Sequence, residues 1–275
     1  MTSPIPRERT IAALDEVWGS TADLLASLPP EQWSARSPLA GWDVRDNVAH
    51  IVGTESMLLG HDAPAIEIDR DRSPHVRNDI GAFNEVWVEA MRTVEPAAVL
   101  ARFNEVTAAR ILALRAMGQD EWDAETFTPA GKDSYGRFMQ IRVFDCWLHE
   151  QDIRDATGRP GNETGLAVEV TLDEMTTAMG FVVGKRAGVE SGHRVTFALT
   201  DGGMVVREIH VEVADRAVVV DRLSAPATTT LTMPVGVMTR RCAGRVAPDA
   251  LRDRIVVTGD PAVAEKILAN QSYTI

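Results

Sequence analysis

Residues 135–161 read YGRFMQIRVFDCWLHEQDIRDATGRPG, and this stretch decides the reading of the chain. From Gly136 to Thr157 it carries no proline and has apolar residues at helical spacing, so it predicts a long helix. Gly158-Arg159-Pro160-Gly161 then stops it sharply, because glycine favours a left-handed helix end and proline cannot continue one. Inside the helix, Asp145 stands four residues before His149. An i, i+4 pair projects from one helix face, one turn apart, which places a carboxylate and an imidazole where they can share a metal ion. A lone D-x-x-x-H is nevertheless common as a surface pair. A third ligand from another helix would close a facial set that leaves a coordination position open, as catalytic sites do.

The natural third candidate is His50, in residues 41–55, GWDVRDNVAHIVGTE. Gly41-Trp42-Asp43 looks like a helix entry, and a helix is expected from Val44 to Leu59 with acidic residues in its first turn, which suits the helix dipole. A hydrogen-bonded core histidine is the competing reading of His50. Of the other four histidines, His61 and His75 flank a loop, and His193 and His210 lie in a β-rich half. They read as surface or local structural residues. Cys146 neighbours Asp145 but points about 100 degrees away from it on a helix, and reads as a buried structural thiol.

At the N-terminal side, Arg7 to Leu28 predicts a first helix ended by Pro29-Pro30. Asp62 to Pro74 reads as a loop. Asp79 to Val94 reads as a helix, Pro96 starts another element that Ala97 to Met117 continues, and Gly118 to Ser134 reads as turn-like. Beyond Asn162 the texture changes. Val195–Leu199 and Val205–Val213 alternate like strands around the turn Asp201-Gly202-Gly203. Ala217–Leu223, Thr228–Met233 and Ile255–Thr258 are further short strands, and Met233–Ala243 and Pro261–Asn270 read as helices. The expected organisation is a helical bundle over residues 1–160 and a smaller α+β domain over residues 161–275. Arg240, Arg241 and Arg245 cluster beside Gly244, where they read equally as anchors for a substrate carboxylate or thiol and as a solvated helix end.

Composition sets outer limits. The chain has 275 residues, a formal net charge of −12, and 45% apolar and 25% charged residues, the profile of an ordinary globular protein with a core of its own. The acidic excess argues against a phosphate backbone or an anionic membrane as partner. Two distant cysteines indicate a reducing compartment. The opening MTSPIPRERT has no apolar h-region and no apolar run is long enough to span a bilayer, so a cytoplasmic protein is expected. No nucleophile elbow, P-loop or dinucleotide-binding glycine pattern is present.

The two quoted segments together resemble the signature segments of the mycothiol-dependent maleylpyruvate isomerase family, within the wider DinB-like superfamily of metal-binding bundles. The likeness extends over nearly the whole chain, with residues 259–275, GDPAVAEKILANQSYTI, similar to the end of that family's sterol-carrier-protein-like domain. The resemblance implies a zinc ion, or another divalent transition metal, held by His50, Asp145 and His149. It implies mycothiol as thiol cosubstrate and a small electrophile as substrate. Asp145 departs from the glutamate of the family's isomerases, and so leaves the outcome open between isomerisation and thiol transfer. Two further readings share the scaffold: a ligand-binding or regulatory protein without turnover, and a thiol-independent metallohydrolase.

Overall fold

The computed structural model describes residues 4–71 and 73–274. Residues 1–3, 72 and 275 lie outside the described residues, and with them fall the start of the leader reading and one position of the Asp62–Pro74 loop. The chain divides into two compact units, Met1–Thr171 and Leu172–Ile275. The fold is α plus β, with a helical N-terminal unit.

The first unit holds helices α1 (Arg7–Ala26), α2 (Val44–Leu58), α3 (Asp79–Met91), α4 (Pro96–Ala116), a short α5 (Gln119–Asp123) and α6 (Tyr135–Thr157). α1 packs on α4 and α6, while α2 packs on α3, α4 and α6. Leu14, Val17, Trp18, Val48, Ile51, Val52, Phe103, Leu114, Met139, Val143 and Trp147 meet in its buried interior. Removing such side chains from water supplies the main stabilising term, about 1.5–3 kcal/mol for each large one. The stretch expected to be turn-like holds α5 and a hairpin of β1 (Glu125–Thr128) and β2 (Gly131–Ser134). Four-residue strands with two exposed residues between them carry too little alternation to be seen in the sequence.

The helix ends follow local chemistry. Asp43 caps α2 by accepting from the Asp46 backbone N–H, while the Asp46 side chain reaches back to the Asp43 N–H. Gly158 ends α6 in the left-handed region, with φ +65°. The chain beyond it stays with the first unit. Trp147 donates to the Asn162 carbonyl, Asn162 donates to Glu150, and the Ala167 N–H donates to Glu16. These bonds explain why the division falls within α7 (Leu166–Phe181) at Thr171/Leu172, not at the Gly158–Gly161 turn. α7 itself was not read from the sequence.

The second unit is a five-stranded sheet in the order β5-β4-β3-β6-β7, built from β3 (Arg194–Asp201), β4 (Met204–Val213), β5 (Ala217–Val220), β6 (Thr229–Pro234) and β7 (Val256–Gly259). Its neighbours pair antiparallel except β3 and β6, which run parallel. α8 (Val235–Cys242) and α9 (Pro261–Ala269) pack on the sheet. Val195, Phe197, Leu199, Ile209, Val211, Leu231 and Met233 bury one face of it. No described helix is long and apolar enough to cross a membrane.

Candidate metal centre

His50 comes from the second turn of α2, and Asp145 and His149 from the middle of α6. The bundle brings the three together: one ligand atom from each lies within 4.8 Å of the others. His50 Nε2 is 3.0 Å from Asp145 Oδ2, and His149 Nε2 is 3.5 Å from Asp145 Oδ1. Both imidazoles are buried, while the Asp145 side chain keeps 31% of its surface exposed, so the cluster is open on the carboxylate side. The imidazole centroids are 4.7 Å apart and meet edge to face. The Trp42 indole packs on both, at 5.4 Å from His50 and 5.8 Å from His149.

The surroundings fix each ring. His149 Nδ1 lies 2.8 Å from Asn47 Oδ1 and 3.3 Å from Asp152 Oδ2. With a proton on Nδ1 donated to these acceptors, the lone pair on Nε2 faces Asp145, which is the orientation a metal-binding histidine needs. His50 Nδ1 is buried and finds no hydrogen-bond partner among the described residues, so Nε2 is the atom through which this ring meets polar groups. Trp42 is held in turn. Its Nε1 donates to Glu85 (3.0 Å), which also receives His75 (2.9 Å) and Arg92 (2.6 Å). Gly41, before it, has φ +83°, and an added Cβ there would lie 2.5 Å from the His75 ring. Only glycine fits that turn without strain.

Electrostatics keep the Asp145 carboxylate ionised. Burial alone would raise the Asp145 carboxyl, but the positive charge of Arg142 and its contacts with His149 and His50 hold it well below the usual carboxylate range. Burial lowers His50 against the pull of Asp145, keeping its ring neutral. At His149 burial also acts downward, but Asp145 and Asp152 outweigh it and the ring is raised. An ionised carboxylate and two imidazole nitrogens form the N,N,O donor set that suits zinc and its neighbours in the transition series. The three side chains therefore fit such an ion.

Residues 14–154, just over half of the chain, match the family described as Mycothiol maleylpyruvate isomerase N-terminal domain. The chain belongs to this family. Outside this family match, no curated protein matches the chain. A crystal structure of the mycothiol-dependent maleylpyruvate isomerase superposes with a TM-score of 0.60 at 18% identity, covering 92% of this chain and 93% of that one. A histidine-to-alanine mutant of that isomerase gives a TM-score of 0.58 at 17% identity, with the same coverage of both chains. At this identity the likeness concerns the fold, and it extends over both units.

The remaining predicted residues divide clearly within this member of the mycothiol maleylpyruvate isomerase N-terminal domain family. Arg241 is 3% exposed and donates to Gln271, Ala250, Pro248 and Leu268. Its guanidinium holds the 247–250 loop and the end of α9 together, which corrects the expectation of a substrate anchor at that position. Arg240 donates to the Gly236 carbonyl and Arg245 to that of Ala243, so each is engaged with its own segment. Cys146 is buried as expected; burial raises its thiol to about 12, against the opposing charge of Arg142, so it is no nucleophile. His210 on β4 lies 3.0 Å from Thr196 on β3, and His193 lies 3.4 Å from Thr228, the two residues just before β3 and β6.

Sequence reading missed Trp42, Asn47, Asp152, Arg142 and Glu55 as neighbours of the cluster. Two of them carried a signal. Arg142 is three residues before Asp145 and Asp152 three after His149, both on the ligand face of α6.

Proposed function

We propose that this chain is a metal-dependent enzyme that activates a low-molecular-weight thiol, mycothiol by family, for cis–trans isomerisation of a small electrophile of the maleylpyruvate type. The observation that carries the reading is the convergence of His50, Asp145 and His149, from two helices, on one point that remains open at Asp145.

A bound zinc ion would supply a Lewis acid beside which a thiol loses its proton at neutral pH. The protein's own groups do the rest. His50 and His149 present Nε2 lone pairs, Asn47 and Asp152 keep the His149 ring from turning, and Trp42 closes one side against water. The thiolate sulfur bonds to one carbon of the cis double bond, and the electron pair moves onto the conjugated carbonyl oxygen. Rotation about the resulting single bond and return of the electron pair expel the thiolate and leave the trans isomer, with no net proton consumed. If addition is not followed by elimination, and the carbon is protonated instead, the outcome is thiol transfer. With Asp145 in place of a glutamate, the carboxylate that would hold the ion sits closer to α6.

Elemental analysis of the purified protein, beside His50→Ala and His149→Ala, tests the metal. About one zinc or similar ion per chain, lost in both variants, is expected. Addition of mycothiol to cobalt-loaded protein should then produce thiolate-to-metal absorption. Metal without that band would favour a thiol-independent hydrolase, and a protein that cannot be loaded would favour the binding-protein reading.

A further inference from the structure

Behind the cluster, on the side away from solvent, runs a chain of buried charges. Glu55 on α2 is fully buried and accepts from two arginines: Arg142 Nε on α6 at 2.8 Å and Arg110 Nε on α4 at 2.9 Å. Arg110 continues to the Tyr135 hydroxyl at 2.9 Å. Arg142 uses all three of its nitrogens, with Nε on Glu55, Nη1 on Asp145 Oδ2, and Nη2 on Cys146 Sγ at 3.3 Å. Arg142 is 3% exposed.

We propose that Arg142 is a positioning residue of the metal centre: by holding Oδ2 of Asp145 from inside the bundle it makes Asp145 a one-oxygen ligand through Oδ1, and by holding Glu55 it locks the helix carrying His50 to the helix carrying Asp145 and His149. The inference rests on the metal reading above.

A guanidinium is a rigid planar fork, so bonds from Nε and Nη1 to two carboxylates fix those carboxylates relative to each other. Glu55 lies five residues after His50 on α2, and Asp145 three residues after Arg142 on α6, so the fork sets the spacing from which the ligands reach out. Arg142 also cannot swing away when a cation arrives, because a buried guanidinium without partners is costly. One oxygen of Asp145 therefore stays occupied by an N–H donor, and the other, which faces His149, is left for the ion.

The positive charge of Arg142 opposes a metal cation, and this has to be weighed against positioning. Glu55, 2.8 Å away but shared with Arg110, offsets part of that charge, and the chelator competition weighs what remains against positioning. Loss of an outer partner of this kind typically lowers metal affinity about 10- to 100-fold.

The test uses cobalt-loaded full-length protein. Arg142→Met frees both Asp145 oxygens, so the visible cobalt bands should weaken, the mark of a higher coordination number, and zinc affinity against a competing chelator should fall about tenfold. Arg142→Lys keeps a buried charge but has no fork, and should alter the cobalt bands in the same direction. Arg110→Met removes the other arginine on Glu55 without touching Asp145. It should lower thermal stability and leave the cobalt spectrum as in the wild type.

A wild-type spectrum and affinity in a folded Arg142→Met protein overturns the proposal. If that variant does not fold, an unchanged spectrum in Arg142→Lys overturns it. An equal change in Arg110→Met would assign the effect to general packing and also overturn it. Failure of the wild type to take cobalt or zinc would instead defeat the metal reading itself, and this positioning role with it.

Discussion

Asn47→Ala is the most informative single perturbation of the candidate centre. Asn47 is fully buried; its Oδ1 lies 2.8 Å from His149 Nδ1, and its Nδ2 donates to the Asp43 carbonyl at 2.7 Å. The substitution removes both bonds. Loss of the first leaves the His149 ring with Asp152 Oδ2, at 3.3 Å, as its remaining acceptor. An N–H points at one acceptor at a time, and the shorter contact marks Asn47 as the one that sets the ring. Asp152 is close enough to take the proton over after a small rotation. The expected loss of zinc affinity therefore lies at the low end for outer partners, about tenfold or about 1.4 kcal/mol. Asn47→Ala combined with Asp152→Ala removes both acceptors and should lose about 100-fold. The Asp43 carbonyl loses its side-chain donor in the same variant but keeps the backbone N–H of residue 47, so stability should fall by about 0.5–1.5 kcal/mol from that bond. Chelator competition gives the affinity and thermal melting gives the stability. Unchanged zinc affinity in the folded double variant would refute the claim that these residues orient His149 for a metal.

Other substitutions test the surroundings. Gly41→Ala forces a Cβ into a φ of +83° and against the His75 ring; thermal melting should show a loss of about 1–3 kcal/mol. Glu85 is held below the ordinary carboxylate range, since hydrogen bonds from Trp42 and His75 and the charge of Arg92 outweigh the burial that would raise it. Its contribution to stability is thus present above its unfolded value, about 4.3, and is lost as pH falls through the lower folded value. Glu85→Gln should melt earlier at pH 7 and show a shallower loss of stability on acidification, as read from melting curves across that range. Arg241→Met should lower the stability of the second unit by about 3 kcal/mol, since several buried carbonyls lose their donor, while thiol affinity stays at the wild-type value. A large drop in thiol affinity without a change in melting would return Arg241 to the role of anchor.

Helices α1, α2, α3, α4 and α6 were legible because their apolar spacing and their stops are local. Pro29-Pro30, the Asp43 cap and the Gly158–Gly161 turn fall where the helices end or begin. Asp145 and His149 were legible as a pair because helix geometry alone places them one turn apart. Their meeting with His50 depends on how α2 packs on α6, across 95 residues of sequence, and spacing carries no information on that. The same reason hid Asn47, Glu55 and Arg110. α7 went unread because its apolar residues do not form one clean stripe: Ala167, Val168, Val170, Leu172, Met175 and Met179 are all buried, and such a helix lacks the one-sided pattern of a surface helix. Arg241 misled because a guanidinium beside a glycine looks the same in sequence whether it faces solvent or ties carbonyls together.

The charges around the cluster bear on what it would bind. Glu55 and Asp145 are matched by Arg110 and Arg142 before any ion arrives. On the proposed reading, a divalent ion held by two neutral imidazoles and Asp145 then leaves the buried region with an excess of at least one positive charge, because Arg142 already offsets the charge of Asp145 and Asp152, 3.3 Å from His149, offsets one charge of the ion. Low-dielectric surroundings make such an excess costly unless anions join it. A thiolate supplies one negative charge, and an electrophile that bears a carboxylate supplies another on the side where Asp145 is exposed. The same accounting predicts that thiol binding tightens when a carboxylate-bearing electrophile analogue is present, and that the effect is lost with an analogue whose carboxylates are esterified. Titration of cobalt-loaded protein with thiol, with and without each analogue, reads this coupling directly. Equal thiol affinity in all three titrations would mean that the excess charge is not what selects the substrate.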